Sequence, residues 1–116
     1  MPTAFIVRVA RTAAGKRNGA LSHYHPAGLG AKVVDALVDC AAFDPSVVDD
    51  VIWGCVSQVG AQSANLGRNV VLSSNLPISV PGTTVDRQCG SSQQAIHFAA
   101  QAVMSGTQDV VIAGGC

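Results

Sequence analysis

The stretch Val85-Asp86-Arg87-Gln88-Cys89-Gly90-Ser91-Ser92-Gln93-Gln94-Ala95 contains an abrupt change of hydrophobic period. Before it, Gly82-Thr83-Thr84-Val85 follows a Pro81-Gly82 turn signal and predicts a short strand, because β-branched residues suit a pleated ladder. After it, Ala95, Ile96, Ala99, Ala100 and Val103 recur at three- and four-residue spacings, which predicts a helix over Gly90–Met104. Cys89 thus stands where strand gives way to helix, beside the unpaired N–H groups and the positive dipole end of a helix start. A thiol in that setting is a candidate nucleophile.

The helix end alone is worth about 0.3–1 kcal/mol to an anion, less than a tenfold effect, so a base is needed to complete a nucleophile. Three histidines are available. His97 lies eight residues along the same helix, which at 1.5 Å per residue puts it ~12 Å from the thiol. His23 and His25 fall in a loop ahead of the first helix, and nothing in the sequence aims either at Cys89. The chain offers a nucleophile and no visible base.

Working outward, strand and helix patterns alternate. Ala4–Val9 predicts a strand, and Pro26 to about Cys40 a helix with Leu29, Val33, Ala36 and Leu37 on one face. Asp44-Pro45 is a turn or helix-start signal before a strand at Val51–Val56. A helix over roughly Ala64–Ser74 ends before Leu76-Pro77, Gly106 stops the Cys89 helix, and Asp109–Ala113 is a final strand. Such alternation implies an α/β layer with a mostly parallel sheet. The Cys89 helix is apolar all round, which calls for cover on both sides.

Hydrophobic residues make up 48% of the chain and charged ones only 12%, sparse for a unit that must cover itself with water-facing side chains. On its own such a chain is expected to expose an apolar patch and self-associate. The net charge of zero gives no case for nucleic acid or an acidic membrane surface. No apolar run reaches the roughly 18 residues of a membrane span. Arg8, Arg11, Lys16 and Arg17 crowd the N-terminal stretch, but its strand pattern argues against an amphipathic transit peptide, which leaves a cytoplasmic setting.

The cysteines at 40, 55, 89 and 116 form no Cys-x-x-Cys pair, and His23-Tyr24-His25 has no partner cluster, so neither a metal site nor a disulfide framework is expected. Cys40 and Cys55 read as small buried hydrophobes. Gly28-Leu29-Gly30 and Gly15-Lys16 lack the remaining residues of dinucleotide and P-loop motifs, and helix packing better explains the glycines. Arg68 and Arg87 are candidate contacts for phosphates or a carboxylate, but ordinary surface or interface pairing is the simpler reading.

Gln88-Cys89-Gly90-Ser91-Ser92-Gln93-Gln94-Ala95 resembles the nucleophile signature of the thiolases. Ala10-Arg11-Thr12 with Gly15-Lys16, Val51-Ile52-Trp53-Gly54-Cys55-Val56, Gly60 to Arg68 and Val110 to Gly115 resemble further thiolase segments in the family's order. Ser92 stands where the family usually has glycine. The resemblance implies the N-terminal part of a thiolase-type layered fold, with a mostly parallel sheet and helices on both faces. Residues 1–116 would be an N-terminal thiolase domain without its C-terminal half. It further implies an acyltransferase of lipid metabolism in which Cys89 takes the acyl group of a 3-ketoacyl-CoA as a thioester, releases acetyl-CoA and passes the acyl group to CoA. CoA is then a co-substrate rather than a resident cofactor, and the protein a homodimer or homotetramer. The activating histidine and a second cysteine would lie in the C-terminal half, so the 116 residues alone are expected to be inactive. Gln93-Gln94 and Gly15-Lys16-Arg17-Asn18-Gly19 are similar to degradative members. A decarboxylating condensing enzyme, or a non-catalytic piece that assembles with a separate C-terminal half, are the alternatives.

Overall fold

A computed structural model describes residues 2–116. Helix α1 (Pro26–Ala41) starts where predicted: Pro26 occupies the first turn, and His25 caps it, with Nδ1 accepting from the Ala27 N–H at 3.2 Å. Strand β1 (Asp50–Gly54), helix α2 (Leu66–Ser73), strand β2 (Gly82–Val85), helix α3 (Ser91–Met104) and strand β3 (Val111–Gly115) follow. Single 3₁₀ turns at Pro45–Val47, capped by Asp44, and at Gly60–Gln62 join them. Gly106, at φ 79°, takes the left-handed conformation that ends α3.

The sheet is parallel throughout, in the order β2-β1-β3. Its two faces carry different helices. Trp53 of β1 points toward α1 and α2, where Gly30 leaves room for the indole and for Val70. The next residue, Gly54, faces the start of α3, where an added Cβ would collide with the backbone of Ser91 and Ser92. The α/β expectation with helices on both faces therefore holds. Val34, Val51, Leu66, Val70, Val71 and Trp53 form the centre of the core, between β1 and the α1–α2 pair.

Polar side chains anchor α2 to β2. Asn65 caps α2 through Oδ1, which accepts from the Arg68 N–H at 3.1 Å and the Thr84 hydroxyl at 2.7 Å. Its amide nitrogen donates to the Gly82 carbonyl at 2.8 Å, and Thr84 Oγ1 accepts from the Gly67 N–H at 2.8 Å. Gly67 lies so close to the Thr83 carbonyl that no larger residue fits. Where β1 and β3 begin, Asp49 Oδ2 accepts from the N–H groups of Asp109 and Val110 at 2.7 and 3.1 Å, which holds its carboxyl below the ordinary value.

Three expectations are corrected. Ala4–Val9 is not a strand: no ladder joins it to the sheet, and Phe5 and Val7 are 79% and 81% exposed. A cleft of about 810 Å³ separates this segment from β3, whose outer edge has no strand partner among the described residues. β-propensity makes a segment able to pair, but pairing also needs a partner within hydrogen-bonding reach. On α1 the buried residues are Ala27, Gly30, Ala31, Val34 and Val38, whereas Leu29, Val33 and Leu37 line the cleft and Ala36 is exposed. Cys40 is exposed near the end of α1, not buried. Boundaries also move: β3 runs to Gly115 rather than Ala113, and β1 ends at Gly54 rather than Val56.

The fold yields four expected outcomes. Purified residues 1–116 should self-associate, given exposed Phe5, Ile6, Val7, Val9 and Ile78; a monodisperse monomer by light scattering would contradict this. In the full-length protein, Gly115→Ala should lose roughly 1–3 kcal/mol to overpacking against Ser92. Gly28→Ala, with open space around it, should be neutral or gain up to about 1 kcal/mol, and urea melts compare the two. Because the Asp49 carboxyl is held low by folding, its contribution is present above the unfolded carboxyl range and fades as pH falls through the folded value. Asp49→Asn should therefore be destabilising at neutral pH, with the gap from wild type closing in acid.

Candidate active site

Cys89 sits one residue before the N-cap of α3, at the end of the loop that leaves β2. The register places that loop beside the ends of the other strands, since the Cys55 N–H donates to the Val85 carbonyl at 3.0 Å. Cys89 itself is exposed. The backbone turns sharply just before it: Gln88 adopts φ 48°, a left-handed conformation costing a non-glycine residue about 1–2 kcal/mol.

Local hydrogen bonds hold that turn. The Gln88 N–H donates to Asp86 Oδ1 at 2.8 Å. The Ser91 hydroxyl donates to the Gln88 carbonyl at 2.6 Å and accepts from the Arg87 N–H at 2.9 Å, which satisfies a polar side chain that is otherwise buried. Sequence reasoning missed Ser91, although a serine in the first turn of a helix is the kind of residue that bonds locally to backbone. Ser92 has a placement of its own: its Oγ lies against the α-carbon of Gly115, which only glycine leaves free. The side chain that stands in place of the family's usual glycine is thus accommodated by β3.

The N-cap Gly90 brings no side-chain acceptor, so no cap side chain competes with an anion for the first-turn N–H groups of α3. Cys89 presents its exposed thiol at that end. Cys55 contrasts with it. Burial pushes the Cys55 thiol up, and the charges of Cys116 and Asp86 add to this.

None of the three histidines serves Cys89 here. His25 is engaged in capping α1, His23 packs its ring 4.7 Å from that of Tyr24, and His97 is exposed further along α3. Arg68, weighed as a phosphate or carboxylate contact, instead donates to the carbonyls of Val80 and Ile78 at 2.5 and 2.8 Å and secures the turn before β2. Arg87 is exposed beside Cys89. Among the described residues no group of three or more His, Cys, Asp or Glu side chains could hold a metal ion, and no helix is long and apolar enough to cross a membrane.

Comparison with known proteins gives the same neighbourhood a lineage. The chain is 55% identical over 115 residues to a protein named steroid 3-ketoacyl-CoA thiolase FadA6 from Mycobacterium tuberculosis, covering 99% of this chain and 28% of that protein. It is 47% identical over 111 residues to proteins named 3-ketoacyl-CoA thiolase from Psychrobacter arcticus and Acinetobacter baylyi, covering 95% of this chain and 28% of each. The chain thus spans little more than a quarter of the length of these relatives. The sequence profile described as thiolase, N-terminal domain, matches residues 4–116, and with that match the chain belongs to the thiolase family, as a representative of its N-terminal domain.

Proposed function

We propose that the complete protein transfers an acyl group between 3-ketoacyl-CoA and CoA through a thioester on Cys89. The observation that carries this reading is an exposed thiol at the uncapped start of α3, in a chain of the thiolase N-terminal family. The Cys89 thiolate attacks the keto carbon, the adjacent carbon–carbon bond breaks, and its electron pair leaves with acetyl-CoA, which takes up a proton. The thiol of a second CoA then attacks the Cys89 thioester, and the acyl group departs on that CoA as the Cys89 sulfur is released. Negative charge near the sulfur lies beside the positive dipole end of α3.

The base has to come from elsewhere in the protein, because His25 caps α1, His23 packs near Tyr24, and His97 lies about two turns along α3. Most CoA and acyl contacts are likewise assigned to the additional length that the relatives possess. The 55% relative carries a steroid name, so a steroid-derived 3-ketoacyl-CoA is the first substrate to compare with a straight-chain one. Exposed Ile96 and Phe98 on α3 support its burial against a further layer of the same protein, and a homodimeric or homotetrameric cytoplasmic enzyme fits that reading.

Incubation of the full-length native protein with 3-ketoacyl-CoA should leave an acyl adduct on the peptide that contains Cys89. Cys89→Ser should remove the adduct and lower CoA-dependent cleavage by roughly 10³-fold or more. An adduct on another side chain, or undiminished turnover in the variant, would overturn the assignment.

A further inference from the structure

The thiols of Cys55 and Cys116 have no part in that chemistry, yet the sheet sets them side by side. Gly54 of β1 is paired with Gly115 of β3, and the Cys116 N–H donates to the Gly54 carbonyl at 3.1 Å, so the register continues one step beyond both strands. Adjacent strands lie about 4.8 Å apart, inside the roughly 4.4–6.8 Å between α-carbons that a disulfide spans. Both side chains are on one face. Trp53 Nε1 donates to Cys116 Sγ at 3.4 Å, and Cys55 follows Trp53 by two residues, which returns it to the Trp53 face. Cys55 Sγ in turn accepts from Gln62 Nε2 at 3.3 Å. Each sulfur is therefore held by a side-chain N–H donor.

We propose that Cys55 and Cys116 are an oxidisable pair, which hydrogen peroxide converts to a disulfide across the C-terminal edge of the sheet. Cys55 is 1% exposed, so Cys116 is the sulfur assigned to meet the peroxide first. The Cys116 sulfur attacks the peroxide, the O–O bond breaks, and a sulfenic acid forms with release of water. The Cys55 sulfur, losing its proton, then attacks the Cys116 sulfur, and the sulfenic oxygen leaves as a second water. Two thiols are oxidised by two electrons, and one peroxide is reduced to two waters.

The test uses full-length protein, as wild type and as Cys89→Ser, treated with hydrogen peroxide, alkylated, and digested without reductant. The expected result in both is a Cys55–Cys116 linked peptide, two hydrogens lighter than its separate parts and resolved by dithiothreitol. Cys116→Ser, which exchanges one atom of nearly equal size, should abolish the link and leave Cys55 unmodified until the protein is unfolded. Oxidation of Cys116 to sulfinic acid while Cys55 remains a free thiol, or a link from Cys116 to Cys89, would overturn the proposal.

Discussion

The close approach of α3 to the sheet, over Gly54 and Gly115, is the contact on which the site depends. With no Cβ on either strand at those positions, the first turn of the helix rests directly on backbone. A residue with even one side-chain carbon would lift the helix from β1 and β3 together. The residue just before that turn is Cys89, so the position of the sulfur is set by how closely two glycines let a helix descend. Ser91 and Ser92 complete the contact: one bonds back to the loop, and the other fits against Gly115.

A chain of restraints extends from this contact. The left-handed Gln88 is an unfavourable conformation that persists because Asp86 and Ser91 hold its N–H and carbonyl. Arg87 and Asp86 follow directly from β2, and β2 is tied to α2 through Asn65, Thr84 and Gly67. Arg68 pins the turn that enters the same strand. A helix that carries no chemistry of its own thereby steadies the loop that carries the thiol.

The two sides of the sheet differ in how well they are covered. The α1–α2 side has a filled core, whereas α3 keeps Ile96, Phe98 and Met104 exposed, and the N-terminal segment leaves four large apolar side chains open. A charged share of 12% is what such a surface requires of the sequence: faces that other polypeptide covers need few charges. The span of little more than a quarter of the relatives' length agrees with that imbalance.

Much of this was legible in the sequence where the physics is local. Pro26 fixed the start of α1, Gly106 the end of α3, and the β-branched run after Pro81 gave β2 its bounds, because each acts on its own backbone. The neighbourhood of Cys89 was legible for the same reason, as a period change with a family resemblance. The pairing of Ala4–Val9 was not, since a strand exists only where a second backbone meets it. Nor was the buried face of α1: that helix is apolar on more than one side, so spacing alone could not choose between the Leu29 line and the Val34 line. By itself the sequence determined which segments coil, which extend and which sulfur begins a helix. Only the tertiary structure decided which glycines bear that helix, and that Cys55 and Cys116 become neighbours, because contacts between distant residues depend on strand order and register.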